Sequence, residues 1–181
     1  MGGVSEHTNG HRRIDRIRDA AYVQGVGELS LDDLRQRRDE CLAEREYLSL
    51  LRRLVQGRAE ILRAELDARG SDEDRGPIVD RLAEILAGDE RQTASRGEAV
   101  KVGLPEEEML LARRRIERVV ADAGISDPGA LNDENLAAAV ELLASEEREV
   151  STARSDVIRV LDTLQDELKR RYREDPTLVL R

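Results

Sequence analysis

The sequence predicts an all-α protein in which two long helices form an antiparallel coiled-coil hairpin, joined by a segment with two shorter helices. Three observations carry this. Apolar residues recur at alternating spacings of three and four along two long stretches, the signature of a coiled-coil seam. Among 181 residues, 38% are charged and 2% aromatic, with no Trp, no Phe and only four Pro, a usage that favours long helices over an aromatic core. Strand signals are nearly absent, and both long stretches begin at the same kind of cap.

Residues 1–28 read as an N-terminal segment, flexible at Gly2, Gly3, Asn9 and Gly10 and weakly helical through the Arg-rich patch Arg12 to Arg18. The first coiled-coil region spans 29–70. Ser30 is its N-cap, Asp33 the capping-box acid, and Leu29 and Leu34 form a staple around them. The helix should run from about Leu31 to Ala68 and stop at Gly70. A connecting segment, 71–130, begins with a charged linker and then carries a short helix from Pro77 to Ala87. A loop over 89–104 follows, then a second short helix from Pro105 to Ala123, closed by Gly124. The second coiled-coil region, 131–175, opens with Leu131, Asn132, Asn135 and Leu136, 102 positions after the first cap, and leaves 176–181 as a tail.

The two seams share one pattern of interruptions. The first is read as Leu31, Leu34, Arg38, Cys41, Arg45, Leu48, Arg52, Val55, Ala59, Leu62 and Leu66. The second is read as Leu136, Val140, Leu143, Glu147, Val150, Arg154, Val157, Leu161, Leu164 and Leu168. Arg45, Ser49, Arg52, Gln56 and Glu60 align, at the same 102-residue offset, with Glu147, Ser151, Arg154, Ile158 and Asp162. Offsets of four, three, four and four keep each set within an arc of roughly 80° on a helix. Each long helix therefore carries one polar stripe, and an internal duplication accounts for the match. Arg52 and Arg154 lie near the middle of their helices, so antiparallel pairing brings the stripes together with approximate two-fold symmetry.

Charge on a seam must be desolvated or must splay the helices, so something has to compensate for it. Arginine presents a planar fork for phosphate or for the O6 and N7 edge of guanine. A carboxylate accepts from guanine's N1 and N2 donors, and Ser and Gln suit phosphate oxygens or ribose hydroxyls. A purine nucleotide with two-fold symmetry fits a groove of this composition.

The spacing Glu, three residues, Ser, two residues, Arg, three residues, Gln, three residues, Asp, on two helices, resembles the signature of the RsiG family, cyclic di-GMP-dependent anti-sigma factors that hold the sporulation sigma factor WhiG in streptomycetes. Glu147, Ser151, Arg154 and Asp162 match four positions of the second copy, with Ile158 in place of Gln. In the first copy Ser49, Arg52 and Gln56 match, Glu60 replaces Asp, and Arg45 departs from the acid, which leaves it to meet phosphate or to pair with Glu147. The resemblance implies an antiparallel coiled coil that binds a dimer of cyclic di-GMP as a regulatory ligand through Arg45, Ser49, Arg52, Gln56, Glu60, Glu147, Ser151, Arg154 and Asp162, and that sequesters a WhiG-type sigma factor when loaded.

Other classes are disfavoured. A net charge of −9 argues against direct DNA binding. The basic clusters Arg113 to Arg115 and Lys169 to Arg171 read as solvated helix faces. His7 and His11 lack the companions of a metal site, and no phosphate-cradling glycine loop or nucleophile and base pair points to an enzyme. The single cysteine, Cys41, fits a reducing cytoplasm, and no secretory signal or membrane segment is visible. A ligand-independent coiled-coil adaptor, whose polar seam residues set pairing register, is the alternative to a nucleotide-gated regulator.

Overall fold

The computed structural model describes residues 9–70, 104–122, 124, 125 and 127–180. It is all helical there, with no strand among the described residues. The elements are α1 (Asn9–Arg18), α2 (Leu31–Arg69), α3 (Glu106–Asp122) and α4 (Asp133–Glu174), with two 3₁₀ elements between α1 and α2, one before α4 and one after it. The short helix expected over 77–87 and the loop over 89–103 lie outside the described residues.

The long helices start where their caps dictate. Asp33 N–H donates to Ser30 Oγ at 3.0 Å and the Ser30 hydroxyl donates to the Asp33 carboxylate at 2.6 Å, while Asn135 N–H donates to Asn132 Oδ1 at 2.8 Å. Each satisfies backbone donors that a helix start leaves open. At the end of α3, Ile125 N–H reaches Val120 O at 2.9 Å and Gly124 N–H reaches Ala121 O at 3.0 Å, a Schellman stop. It requires the left-handed backbone that Gly124 adopts, with φ of 66°, and it tucks Ile125 into the interior.

The chain forms two compact units, one from 1–49 with 151–181 and the other from 50–150. In each, one half of α2 runs antiparallel to one half of α4. In the first unit, Arg35 Nε donates to the Tyr172 hydroxyl at 3.1 Å, whereas Arg154 Nε donates to Ser49 Oγ at 3.0 Å. In the second, Arg52 pairs with Glu147 at 2.8 Å, and Arg69 holds the carbonyls of Leu131 and Pro128 and the carboxylate of Asp133. As residue numbers rise on α2, those of its partners on α4 fall.

Among the described residues a third helix joins the two in each unit. α1 buries Ile14 and Ile17 in the first, whose buried residues also include Leu34, Cys41, Leu48, Val157, Leu161 and Leu164. α3 buries Ala112 and Ile116 in the second, whose buried residues also include Leu51, Val55, Leu62, Leu136 and Leu143. Among the described residues of the N-terminal stretch, two isoleucines and Tyr22, all buried, anchor 14–22, whereas Gly2 and Gly3 lie outside them. Burial also pushes the Cys41 thiol up to about 11, with Glu40 and Glu44 adding to the rise against a hydrogen bond from Tyr22.

The seam of α4 is the expected one. That of α2 holds at Leu34, Cys41, Leu48, Val55, Ala59 and Leu62, but at its middle Glu44 and Leu51 are fully buried in place of Arg45 and Arg52, which lie half-exposed on its flank. Leu48, Leu51 and Val55 already supply a three-four apolar spacing, so the arginines rest their stems on the groove and keep their heads in water. The cluster Lys169 to Arg171 is knitted to Asp166, Glu167 and Glu174, and Arg171 additionally binds the carbonyls of Val26, Gly27 and Leu29.

Candidate ligand groove

The polar stripes place their residues on the flank of the seam, each unit holding part of the set. In the second unit, Glu147 Oε1 accepts from Arg52 Nε at 2.8 Å and from Gln56 Nε2 at 3.3 Å. A first-copy arginine and glutamine thereby share the second-copy acid. Both ions of that pair keep water access, with side-chain exposures of 40% for Arg52 and 26% for Glu147, so the contact can open at little cost. Glu60 lies half-buried one turn beyond Gln56.

In the first unit, Arg154 Nε donates to Ser49 Oγ at 3.0 Å, and the same hydroxyl donates to the carbonyl of Arg45 at 2.7 Å. Arg45 bonds its sequence neighbour Glu46 through Nε and Nη2, at 3.2 and 2.8 Å. Ser151 and Ile158 are half-buried, whereas Asp162 is exposed. The clusters thus combine guanidinium forks, hydroxyls, an amide and carboxylates, all partly open to water. Such a set can exchange its internal partners for phosphate oxygens and for a guanine edge.

The sequence reading missed one feature next to this groove. Arg13 of α1 pairs with Glu44 of α2, and Arg115 of α3 pairs with Glu146 of α4 at 2.7 Å. Glu44 and Glu146 immediately precede the two first motif positions. The signal was available, because Arg13 and Arg115, like Glu44 and Glu146, are separated by 102 residues, and Arg12–Arg16 reads RRIDR where 114–118 reads RRIER. The repeat is therefore a short helix, a turn and a long helix, not the long helix alone.

A separate cleft of about 520 Å³ lies in the first unit, lined by Arg16, Asp19, Tyr22, Asp33, Gln36, Arg37 and Glu40. Its charges answer one another: Arg16 and the Tyr22 hydroxyl both donate to Glu40, and Arg37 stacks 5.2 Å from the Tyr22 ring centre. No group of three or more His, Cys, Asp or Glu able to hold a metal occurs among the described residues. No helix among them is long and apolar enough to cross a membrane.

These features define a class: an all-α, antiparallel coiled coil with a polar, water-accessible set of side chains along its seam. Residues 20–86 match the family model described as RsiG-like. The matched stretch holds the first cap, the whole first polar stripe and Glu44, and it bears out the resemblance read from the motif spacing. That family suggests an anti-sigma factor with a regulatory ligand and a sigma-factor partner. No curated protein matches the chain closely enough to count as a relative.

Proposed function

We propose that this chain is an anti-sigma factor gated by cyclic di-GMP. The nucleotide, as a dimer, would engage the polar stripes, and the loaded protein would sequester a WhiG-type sigma factor and so silence sporulation genes. The reading includes no catalytic step and no direct DNA contact.

One observation carries it: Arg52 and Gln56 of the first motif copy converge on Glu147 of the second. Residues paired only by their spacing in the sequence meet on facing helices, in a place open enough for a ligand to compete. The groups are those that guanine and phosphate require. Equilibrium dialysis with labelled cyclic di-GMP tests the ligand, and repeating it with a WhiG-type sigma factor tests the partner. Saturable binding that the sigma factor tightens is expected; no binding at millimolar nucleotide would sink the reading.

A second reading is favoured by the same contacts. Arg52 and Arg154 already have partners in Glu147 and Ser49, as the seam of a ligand-independent adaptor requires. Such an adaptor binds its partner equally with and without nucleotide, and the dialysis experiment separates the two.

A further inference from the structure

We propose that Arg115 and Glu146 are a positioning pair for the ligand groove: their ion pair fixes the rotation of α4 about its own axis, and so keeps Glu147 aimed at the first motif copy. The inference rests on the reading of the groove as a cyclic di-GMP site.

Consecutive residues on a helix point about 100° apart. At one level of α4, Glu146 Oε1 takes Arg115 of α3 through Nε and Nη2, at 3.1 and 2.7 Å, while Glu147 Oε1 takes Arg52 of α2 at 2.8 Å. The helix is gripped from two directions by two adjacent carboxylates. When Arg52 turns to an anionic ligand, one grip is released, and Arg115 with Glu146 remains. A rotation of about 20° would carry a carboxylate about 6 Å from the helix axis some 2 Å sideways, enough to break a hydrogen bond.

The first unit repeats the pair that precedes the motif, with Arg13 of α1 on Glu44 ahead of Arg45, while Arg45 itself bonds Glu46. Glu44 is only 1% exposed. A buried ion pair is a poor way to gain stability, since well-packed apolar residues of the same volume do as well or better. What an apolar pair lacks is direction. That argument applies to Glu44, and its partly exposed counterpart at Glu146, of identical residue types at one offset from the other motif copy, is accounted for by the same orientation.

The test uses the exposed member of the repeat, because substitution of buried Glu44 invites misfolding. Cyclic di-GMP affinity is measured by calorimetry for the unaltered chain, Glu146→Gln, Arg115→Gln and the swapped double variant Arg115→Glu with Glu146→Arg. The single variants are expected to bind about five- to tenfold more weakly, with the swap recovering most of the loss. Unchanged affinity in the single variants, with only a lowered melting temperature, overturns the proposal. If the unaltered chain does not bind nucleotide, the cyclic di-GMP reading falls, and a thermal double-mutant cycle between Arg115→Gln and Arg52→Gln decides instead. Non-additive losses support positioning, and additive ones overturn it.

Discussion

Arg52 and Arg154 hold the same motif position, and each already spends one N–H on the opposite helix, to Glu147 and to Ser49. A half-exposed pair of this kind contributes about 0.5 kcal/mol to folding, whereas a charge-assisted contact to a nucleotide contributes about 1.5–3 kcal/mol. Arg52→Ala or Arg154→Ala should therefore weaken cyclic di-GMP binding by about tenfold or more while helicity by circular dichroism stays nearly constant. Calorimetry showing no loss would remove these residues from the site. At this scale the spacing pointed to contacts the structure contains, of Arg52 and Gln56 with Glu147 and of Arg154 with Ser49. Glu44 was passed over, because a seam read through Arg45 and Arg52 leaves out the buried Glu44 and Leu51 beside them, although the 102-residue repeat of Arg13 and Glu44 was there to be read.

Helix ends were the most legible elements, since capping chemistry is local: Ser30, Asp33 and Asn132 do what their side chains dictate, and Gly124 what its lack of one allows. Ser30→Ala should cost about 1 kcal/mol, and Gly124→Ala a similar amount, read as a fall in the urea midpoint. No atom lies within 4 Å of a Cβ added at Gly124, so its cost is backbone strain at φ of 66° and not a clash. Order in α1 was less legible, because it depends on the docking of two isoleucines against a helix distant in sequence. The last turns of α4 carry a pH dependence. Hydrogen bonds from Arg170 and then Arg171 hold the Glu167 carboxyl down at about 2, from 4.5. A depressed carboxyl contributes its stability above the unfolded value and loses it as pH falls from about 4.5 towards 2. Melting temperatures of the unaltered chain and Glu167→Gln should accordingly converge across that window; a constant gap would mean that the pair contributes nothing through its charge.

For the whole molecule, a partner that reads helices fixed by nucleotide must tighten nucleotide binding by the same factor that nucleotide tightens the partner. Surface plasmon resonance should give a sigma-factor affinity that rises with cyclic di-GMP, and Ser151→Ala should reduce that rise; equal affinity with saturating nucleotide and with none would leave a constitutive binder. The hairpin itself was legible because apolar periodicity is additive over forty-residue helices. Division into two units, each with a third helix among the described residues, was not, since a ten-residue helix and a seventeen-residue one each look like charged surface until the Arg and Glu pairs beneath them are known.

Cys41 is the sole thiol among 181 residues, and it lies with no exposed surface in the first unit. With its acidity suppressed to about 11, its reaction with an aromatic disulfide reagent at pH 8 must wait for that unit to open. Slow labelling therefore counts openings, as amide exchange does, and its rate divided by that of the unfolded chain is an equilibrium constant for exposure. The untagged protein carries its own stopwatch on one half of its fold. A ligand that tightens the first unit would slow it, and one that acts only on 50–150 would leave it running unchanged.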